Sequence, residues 1–349
     1  MSRSAPSLES KEQTMPLRTL VLGGGSIGAR HLSNLAASNV APLAVVDPLV
    51  ERRATLCTTD LVTGFETIEQ GLAWGPELVV VASPTNLHVE HALAAARRGC
   101  HLFIEKPLAH TRDGLPELIS EAKRTSIVSL VGCNMRFHPG PLKVKELLKQ
   151  ESIGKVLFAR IYSGSYLPNW RPSQDYRQTY SANAVMGGGC ILDCIHEIDL
   201  AYWYLGRIET TFCAAEHLSS MEIDVEDVAM LVCKHASGSL SEIELDYVQR
   251  TYERGCHIVG TEGTITWDFR RGCVRHFDAG RGSWTTFEQP KGWEINQMYL
   301  DELNHLLACV AQGCQTDLPI SQAAEVMSVA FAAKKSAGTG RSVSTREML

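Results

Sequence analysis

No stretch of this 349-residue chain approaches the roughly 20 consecutive apolar residues that a bilayer-spanning helix needs, so a membrane is not an expected partner. No basic block is present either. The 33 Lys and Arg against 39 Asp and Glu leave a formal net charge of -6, and the concentrated cationic footprint of a nucleic-acid binder is missing. The eleven cysteines contain no CxxC pair. Cys190 and Cys194 are four apart, but no His/Cys cluster completes a metal site, so no metal is expected. Scattered cysteines of this kind suit reduced, mostly buried thiols in a cytoplasmic protein. Residues 1–15, rich in Ser and of mixed charge, lack the apolar run of a signal peptide and read as a disordered tail.

What the chain does have is an ordinary globular balance, 44% hydrophobic and 21% charged, over a length that suits two domains. Between residues 16 and 137, short apolar runs (18–22, 43–46, 78–81, 101–104 and 128–131) alternate with helical patterns such as 86–98 and 113–124. Strands that are apolar on both faces and alternate with helices predict a doubly wound parallel sheet, that is, a Rossmann domain. The break at His138-Pro139-Gly140-Pro141 ends that grammar. A helix over 142–150 follows. Strands are then expected at 155–166, 225–235, 239–250, 256–259, 264–269 and 273–277, with helices at 294–312 and 321–336 closing the chain. Close spacing and turns such as Ala236-Ser237-Gly238 predict, for residues 138–349, an α+β domain with a large, mainly antiparallel open sheet.

The first strand runs into Gly23-Gly24-Gly25-Ser26-Ile27-Gly28, a GxGxxG directly before a helix. In that context Gly23 permits the tight turn, Gly25 a close approach of backbone to a pyrophosphate, and Gly28 the packing of helix on strand. The N–H groups of the helix start, at Ser26 and Ile27, face the phosphates. Asp47 ends the second strand, nineteen residues beyond Gly28, where a carboxylate takes ribose hydroxyls and repels a 2′-phosphate. NAD is therefore expected, with NADP possible because Arg52 and Arg53 follow.

Glu105-Lys106-Pro107 closes the fifth apolar run, at the carboxyl edge where ligands of open α/β sheets bind. An ammonium at Lys106 can hold a hydroxyl or carbonyl oxygen and steady the charge that develops on it. Gly187-Gly188-Gly189 opens a helical segment with an apolar stripe at Ile191, Ile195, Ile198, Tyr202 and Leu205. Asp193 and His196, three apart, are expected to share a face of it, with Asp199 also in reach. A carboxylate there would orient His196 as a general acid/base and bring its pKa toward neutrality. Trp170, Arg171 and Arg177 lie in a loop that could take a sugar ring and an anionic group, or whose Arg and Asp residues could pair with one another. The acidic stretch 222–227 is expected as a solvated strand entry, Trp203 in the core, and Trp293 without a role.

These segments in order, residues 23–28 with His31, 82–88, 105–107, 134–139 and 187–196, resemble the glucose-fructose oxidoreductase / inositol dehydrogenase / MocA (Gfo/Idh/MocA) family, from about residue 17 almost to the C-terminus. The resemblance implies bound NAD(P) and hydride transfer between nicotinamide and a secondary alcohol or ketone of a sugar, polyol or nucleotide-sugar-like substrate. It also implies a homodimer or homotetramer formed through the C-terminal sheet. By position, Lys106 matches the catalytic lysine, His196 the acid/base histidine and Asp193 the nearby aspartate; many members space that pair four apart, others three, as here. Ser83, Asn86, His88 and Glu105 match positions near the cofactor's ribose and nicotinamide, and Arg136 a segment crossing between domains near the cofactor. The family also contains glycosidases that retain NAD, and non-catalytic dinucleotide or sugar sensors, which stand as alternatives.

Overall fold

A computed structural model describes residues 15–58 and 61–348; the tail expected at residues 1–15 lies almost wholly outside them. The first domain is β1 (Met15–Leu22), α1 (Ser26–Ala37), β2 (Val40–Val46), α2 (Val50–Leu56), β3 (Val62–Phe65), α3 (Ile68–Ala73), β4 (Leu78–Val81), α4 (His88–Ala96), β5 (His101–Glu105), α5 (Leu115–Thr125) and β6 (Ser129–Gly132). Its six strands are parallel and ordered β3-β2-β1-β4-β5-β6. That is the Rossmann order, and the reversal between β1 and β4 opens the ligand crevice at their carboxyl ends. β4 is Leu-Val-Val-Val with every residue buried, as a strand covered on both faces must be.

The second domain starts with α6 (Pro139–Lys149) and β7 (Val156–Gly164). After a long loop come α7 (Cys190–Asp193), α8 (Ile195–Leu205), β8 (Ile208–Glu216), β9 (Val228–His235), β10 (Leu240–Asp246), β11 (Glu253–Gly260), β12 (Gly263–Asp268), β13 (Cys273–Asp278) and β14 (Ser283–Glu288). Then α9 (Asn296–Gln312), α10 (Ile320–Thr339) and a short β15 (Val343–Ser344) complete the chain. Nine strands form one sheet in the order β14-β13-β12-β11-β7-β10-β9-β8-β15. It is antiparallel except where β10 pairs parallel with β7. In β9, Ala229, Leu231 and Cys233 point into the core while Met230 and Val232 point out, each about half exposed. The helices α8 and α10 cover the inner face, against β7 and β8.

Four strands were not expected from the sequence: β3, β8, β14 and β15. β3 has only half-buried and exposed residues, β14 is almost wholly exposed, and β15 has two residues, so none carries a strong apolar run. The chain also returns to the first domain near its end. The Thr316 hydroxyl donates to Ser129 O at 2.5 Å and Val131 N–H to Leu318 O at 3.0 Å, so the 317–318 backbone lines the edge of β6. The pattern of free cysteines is matched by burial, since all but Cys57, Cys273 and Cys314 are buried.

Candidate active site

The turn after β1 is shaped by its glycines. Gly23 has φ +100°, and a Cβ there would lie 2.6 Å from Ala82 O. A Cβ on Gly28 would collide with the Gly23 carbonyl oxygen, so α1 can pack on β1 only with glycine there. A Cβ on Gly25 would meet nothing within 4 Å: the space over this N-cap is open. No side chain caps α1, which leaves its first-turn N–H groups for a ligand. Asp47 is buried at the end of β2, accepting from Gly24 N–H at 2.8 Å and Leu49 N–H at 2.9 Å. Arg52 reaches Asp47 Oδ2 at 3.4 Å, and Arg53 donates to Asp47 O at 2.6 Å. Both arginines are thus turned toward Asp47. An open glycine cradle, an uncapped helix and a carboxylate on the second strand fit a dinucleotide lacking a 2′-phosphate.

Beyond the turn, a cleft of about 350 Å³ is lined by Ser26, Ile27, Ser83, Glu105, Lys106, Trp170, Asp193 and His196, among others. A second cavity of about 540 Å³ shares Lys106, Trp170, Asp193 and His196 and reaches β7 and β11 at Ser163 and Arg254. Lys106, Asp193 and His196 therefore sit where the two meet. The Lys106 ammonium donates at 2.8 Å to both Asp193 Oδ1 and Asp193 O. Asp193 Oδ1 also accepts from Tyr180 Oη at 2.8 Å, and Oδ2 from Ser181 Oγ at 2.6 Å and Tyr247 Oη at 3.2 Å. Burial opposes ionisation of Asp193, but the Lys106 charge and these donors hold it below the ordinary carboxylate range. Burial likewise opposes the Lys106 charge, and Asp193 outweighs it, so the ammonium is held well above the usual lysine range. Burial pushes the Tyr180 phenol up to about 12, with Asp193 adding to the rise.

His196 is buried, and its Nδ1 has no hydrogen-bond partner among the described residues. Burial, then the Lys106 and Arg254 charges, drive its pKa well below the ordinary histidine value, so the ring is neutral. Behind it, Arg254 pairs with the buried Glu197 at 2.8 Å. On the first-domain side Glu105 is held by His31 Nε2 at 2.6 Å and accepts from Lys106 N–H at 3.2 Å. The result is one carboxylate clamping one ammonium, next to a neutral imidazole, facing a cavity. That arrangement can hold an oxygen and take up its proton.

A family model described as an oxidoreductase family with an NAD-binding Rossmann fold matches residues 17–133, and the GFO/IDH/MocA C-terminal domain model matches residues 142–266. The chain belongs to the Gfo/Idh/MocA family. It is an NAD-binding oxidoreductase of that family. It is 30% identical to the myo-inositol 2-dehydrogenase of Thermotoga maritima over 95% of this chain and 100% of that one. It is 26% identical to the scyllo-inositol 2-dehydrogenase (NAD(+)) of Bacillus subtilis, over 85% of this chain and 87% of that one. Among solved structures, a levoglucosan dehydrogenase in complex with NADH and levoglucosan has the same fold, with a TM-score of 0.86 at 21% identity, covering 95% of this chain and 100% of that one.

Within this Gfo/Idh/MocA fold, several residues stand elsewhere than the sequence led one to expect. Asp193 and His196 do not share a helical face, because the helix breaks at Cys194 (φ -90°, ψ 34°) and α8 begins afresh at Ile195. Asp193 therefore turns to Lys106, and His196 is pushed toward neutrality of charge by burial and two cations, with no carboxylate orienting it. Asp199 does not reach His196. It makes a buried, bidentate pair with Arg136 at 2.9 and 2.7 Å. Arg136 also donates to Asp317 O at 2.7 Å, so it ties the two domains together and does not line the cleft. The buried His88 ring lies between two backbone carbonyls, Pro107 O at 2.8 Å from Nδ1 and Ser83 O at 2.9 Å from Nε2, and can donate to one of them, which ties together the loops flanking the cleft. Ser83 lines the cleft and shares a hydrogen bond with His91; Asn86 is exposed and does not line it. Arg177 is exposed and pairs with Asp175 at 2.8 Å and Glu222 at 2.9 Å, outside the cleft, whereas Trp170 and Arg171 line it. Asp227, expected in solvent, is fully buried and accepts from Leu218 and Ser219 N–H. Trp203 is half-buried beneath Arg136 and Lys145, and Trp293 packs edge-on against His138.

Sequence reasoning missed Tyr180, Ser181, Tyr247 and Arg254. Tyr180 and Ser181 come from the long loop, which the sequence alone leaves unplaced and which their bonds to Asp193 pin down. Tyr247 just past an apolar strand, and Arg254 on a strand whose alternate residues face the core, were the available signals: a polar tip in a buried position needs a partner.

Proposed function

We propose that this chain oxidises a secondary alcohol of a sugar or polyol, or reduces the corresponding ketone, with NAD. The supporting observation is that Lys106 and His196 face the cavity next to the open glycine cradle. NAD would lie with its pyrophosphate over Gly23, Gly25, Ser26, Ile27 and Gly28, its adenine ribose at Asp47 and its nicotinamide end between Ser83 and Glu105. When bound, it supplies the hydride acceptor. Residues 16–137 would carry the cofactor and 138–349 most of the substrate contacts, with Trp170 offering an aromatic face to the sugar ring.

The Lys106 ammonium, fixed by Asp193, holds the substrate oxygen and stabilises the negative charge that grows there as its proton leaves. Neutral His196 accepts that proton. The Lys106 and Arg254 charges that depress the His196 pKa disfavour the imidazolium, so the proton passes on to solvent through the open cleft. A hydrolytic reading has less support, since the two carboxylates of the cleft, Glu105 and Asp193, are committed to His31 and Lys106. A sensor would have no need of this charge arrangement.

The outer face of the second sheet supports self-association. Phe212 stands opposite Val232, and Leu240 opposite Phe158, each near half exposed. An apolar face of this kind suits a homodimer or homotetramer. The unpaired cysteines support a cytoplasmic enzyme, and no helix of the described residues is long and apolar enough to cross a membrane.

Replacing Lys106 with Ala tests the reading. NADH should still bind by nicotinamide fluorescence, while turnover of inositols and sugars should fall by about 10²–10³-fold. Turnover at the wild-type rate would refute it.

A further inference from the structure

One cation of the substrate cavity has no carboxylate to answer it among the described residues. Arg250 lines the 540 Å³ cavity with Lys106, His196 and Arg254. Lys106 is matched by Asp193 and Arg254 by Glu197, both at 2.8 Å. Arg250 makes no ion pair with the described residues; its guanidinium carbon lies 3.7 Å from the ring centroid of Tyr166, which also lines the cavity. Stacking of this kind uses the flat face of the guanidinium and leaves its N–H edges free to form a fork. The carboxylates nearest in sequence are already occupied: Glu253 pairs with Arg270 at 2.7 Å, and Asp246 accepts from Val248 N–H, Gln249 N–H and Gln249 Nε2 at 2.8, 2.8 and 2.7 Å.

Among other arginines of this domain, Arg160 takes Glu244, Arg177 takes Asp175 and Arg270 takes Glu253, while Arg275 and Arg341, which line neither cavity, make no ion pair with the described residues. Arg171 is also without an acid among the described residues, but it lines the cleft shared with Ser26 and Ile27, where a dinucleotide's own phosphates can answer it. Arg250 lines only the other cavity. A neutral polyol would bring nothing to balance it.

We infer that the substrate carries an oxyanion, a carboxylate or a phosphate, away from the reacting carbon, and that the Arg250 guanidinium binds it. This rests on the reading of the cleft as a sugar- or polyol-oxidising site. A charged fork of this kind favours the anionic substrate by about 10–100-fold.

The test is NADH formation by the full chain from matched pairs: D-galacturonate with D-galactose, D-glucuronate with D-glucose, and myo-inositol 1-phosphate with myo-inositol. At least one charged member should exceed its neutral parent in kcat/KM by about tenfold or more. The uronate pairs and the phosphate pair distinguish a carboxylate from a phosphate. In Arg250→Gln the charged-to-neutral ratio should collapse toward one, chiefly through KM, and Arg250→Lys should keep part of it. Neutral parents that match or exceed every charged partner overturn the inference while leaving the dehydrogenase reading intact, as does a ratio that Arg250→Gln leaves unchanged. No NADH from any of the six overturns both.

Discussion

Asp193→Asn is the substitution that most exposes how the site is held together. The change keeps shape and removes one charge. In the wild type the Asp193 carboxylate accepts from Lys106, Tyr180, Ser181 and Tyr247, at distances from 2.6 to 3.2 Å. An amide offers one acceptor oxygen in place of two, and its NH2 points a donor at groups that are themselves donors. The Lys106 ammonium, 19% exposed at its side chain, loses the counter-charge that offsets its burial. Breaking one partner of a buried pair costs about 3–5 kcal/mol, and the aqueous cavity beside Lys106 places the expected loss at the lower end, about 3 kcal/mol. Urea denaturation measures this. A second reading separates a site effect from general weakening. With Asp193 ionised, Lys106 stays charged across the working pH range, because Asp193 raises its pKa against the lowering by burial. Without it, burial dominates and the Lys106 pKa falls, so the basic limb of the kcat/KM profile should move to lower pH. A variant within about 1 kcal/mol of wild type with an unmoved basic limb would refute the clamp.

Three further outcomes follow from the same structure. His138 is buried against Trp267 and Trp293 with its pKa lowered to about 4 by burial and then the Arg254 charge. The unfolded chain takes up this proton near pH 6.5 and the folded one only near 4, so stability should fall by about 3 kcal/mol as pH drops through that window. His138→Asn, which keeps an acceptor for Gly140 N–H, should lower the slope by one proton; an unchanged slope in thermal denaturation would count against it. Gly28→Ala places a methyl against the Gly23 carbonyl and should cost at least about 1–3 kcal/mol together with NADH affinity, read by melting and fluorescence; wild-type values in both would be contrary. Arg136→Met strands Asp199, whose side chain is 0% exposed, and should cost about 3–5 kcal/mol in urea, most of it recovered by adding Asp199→Leu; a loss under about 1 kcal/mol would show the pair to be unimportant.

The Rossmann half was readable because its chemistry is local. A strand covered on both faces is apolar throughout, a GxGxxG turn has its glycines at fixed offsets, and Asp47 and Lys106 each end a strand that the same pattern reveals. Strands that bury little, such as β3 and β14, leave no such trace. In the site, proximity along the chain was misleading. Spacing brought Asp193 to His196 on an assumed continuous helix, but one residue, Cys194, leaves helical geometry and sends the carboxylate to Lys106, 87 residues away. Arg136 and Asp199 are likewise joined across 63 residues, and no local pattern encodes that. Tyr180 and Ser181 become site residues only through the path of a loop. The sequence therefore pointed to the groups proposed to do chemistry more readily than to the groups that hold them in place.

In the proposed reaction, hydride passes between the substrate carbon held at Lys106 and His196 and the nicotinamide of NAD. Deuterium at the reacting carbon of a turned-over alcohol tests it most directly, with the NADH produced examined by mass spectrometry. One deuterium per NADH, on the nicotinamide ring, is the predicted result. Deuterium kept in the product with no net NADH, or lost to water, would rule out this hydride transfer.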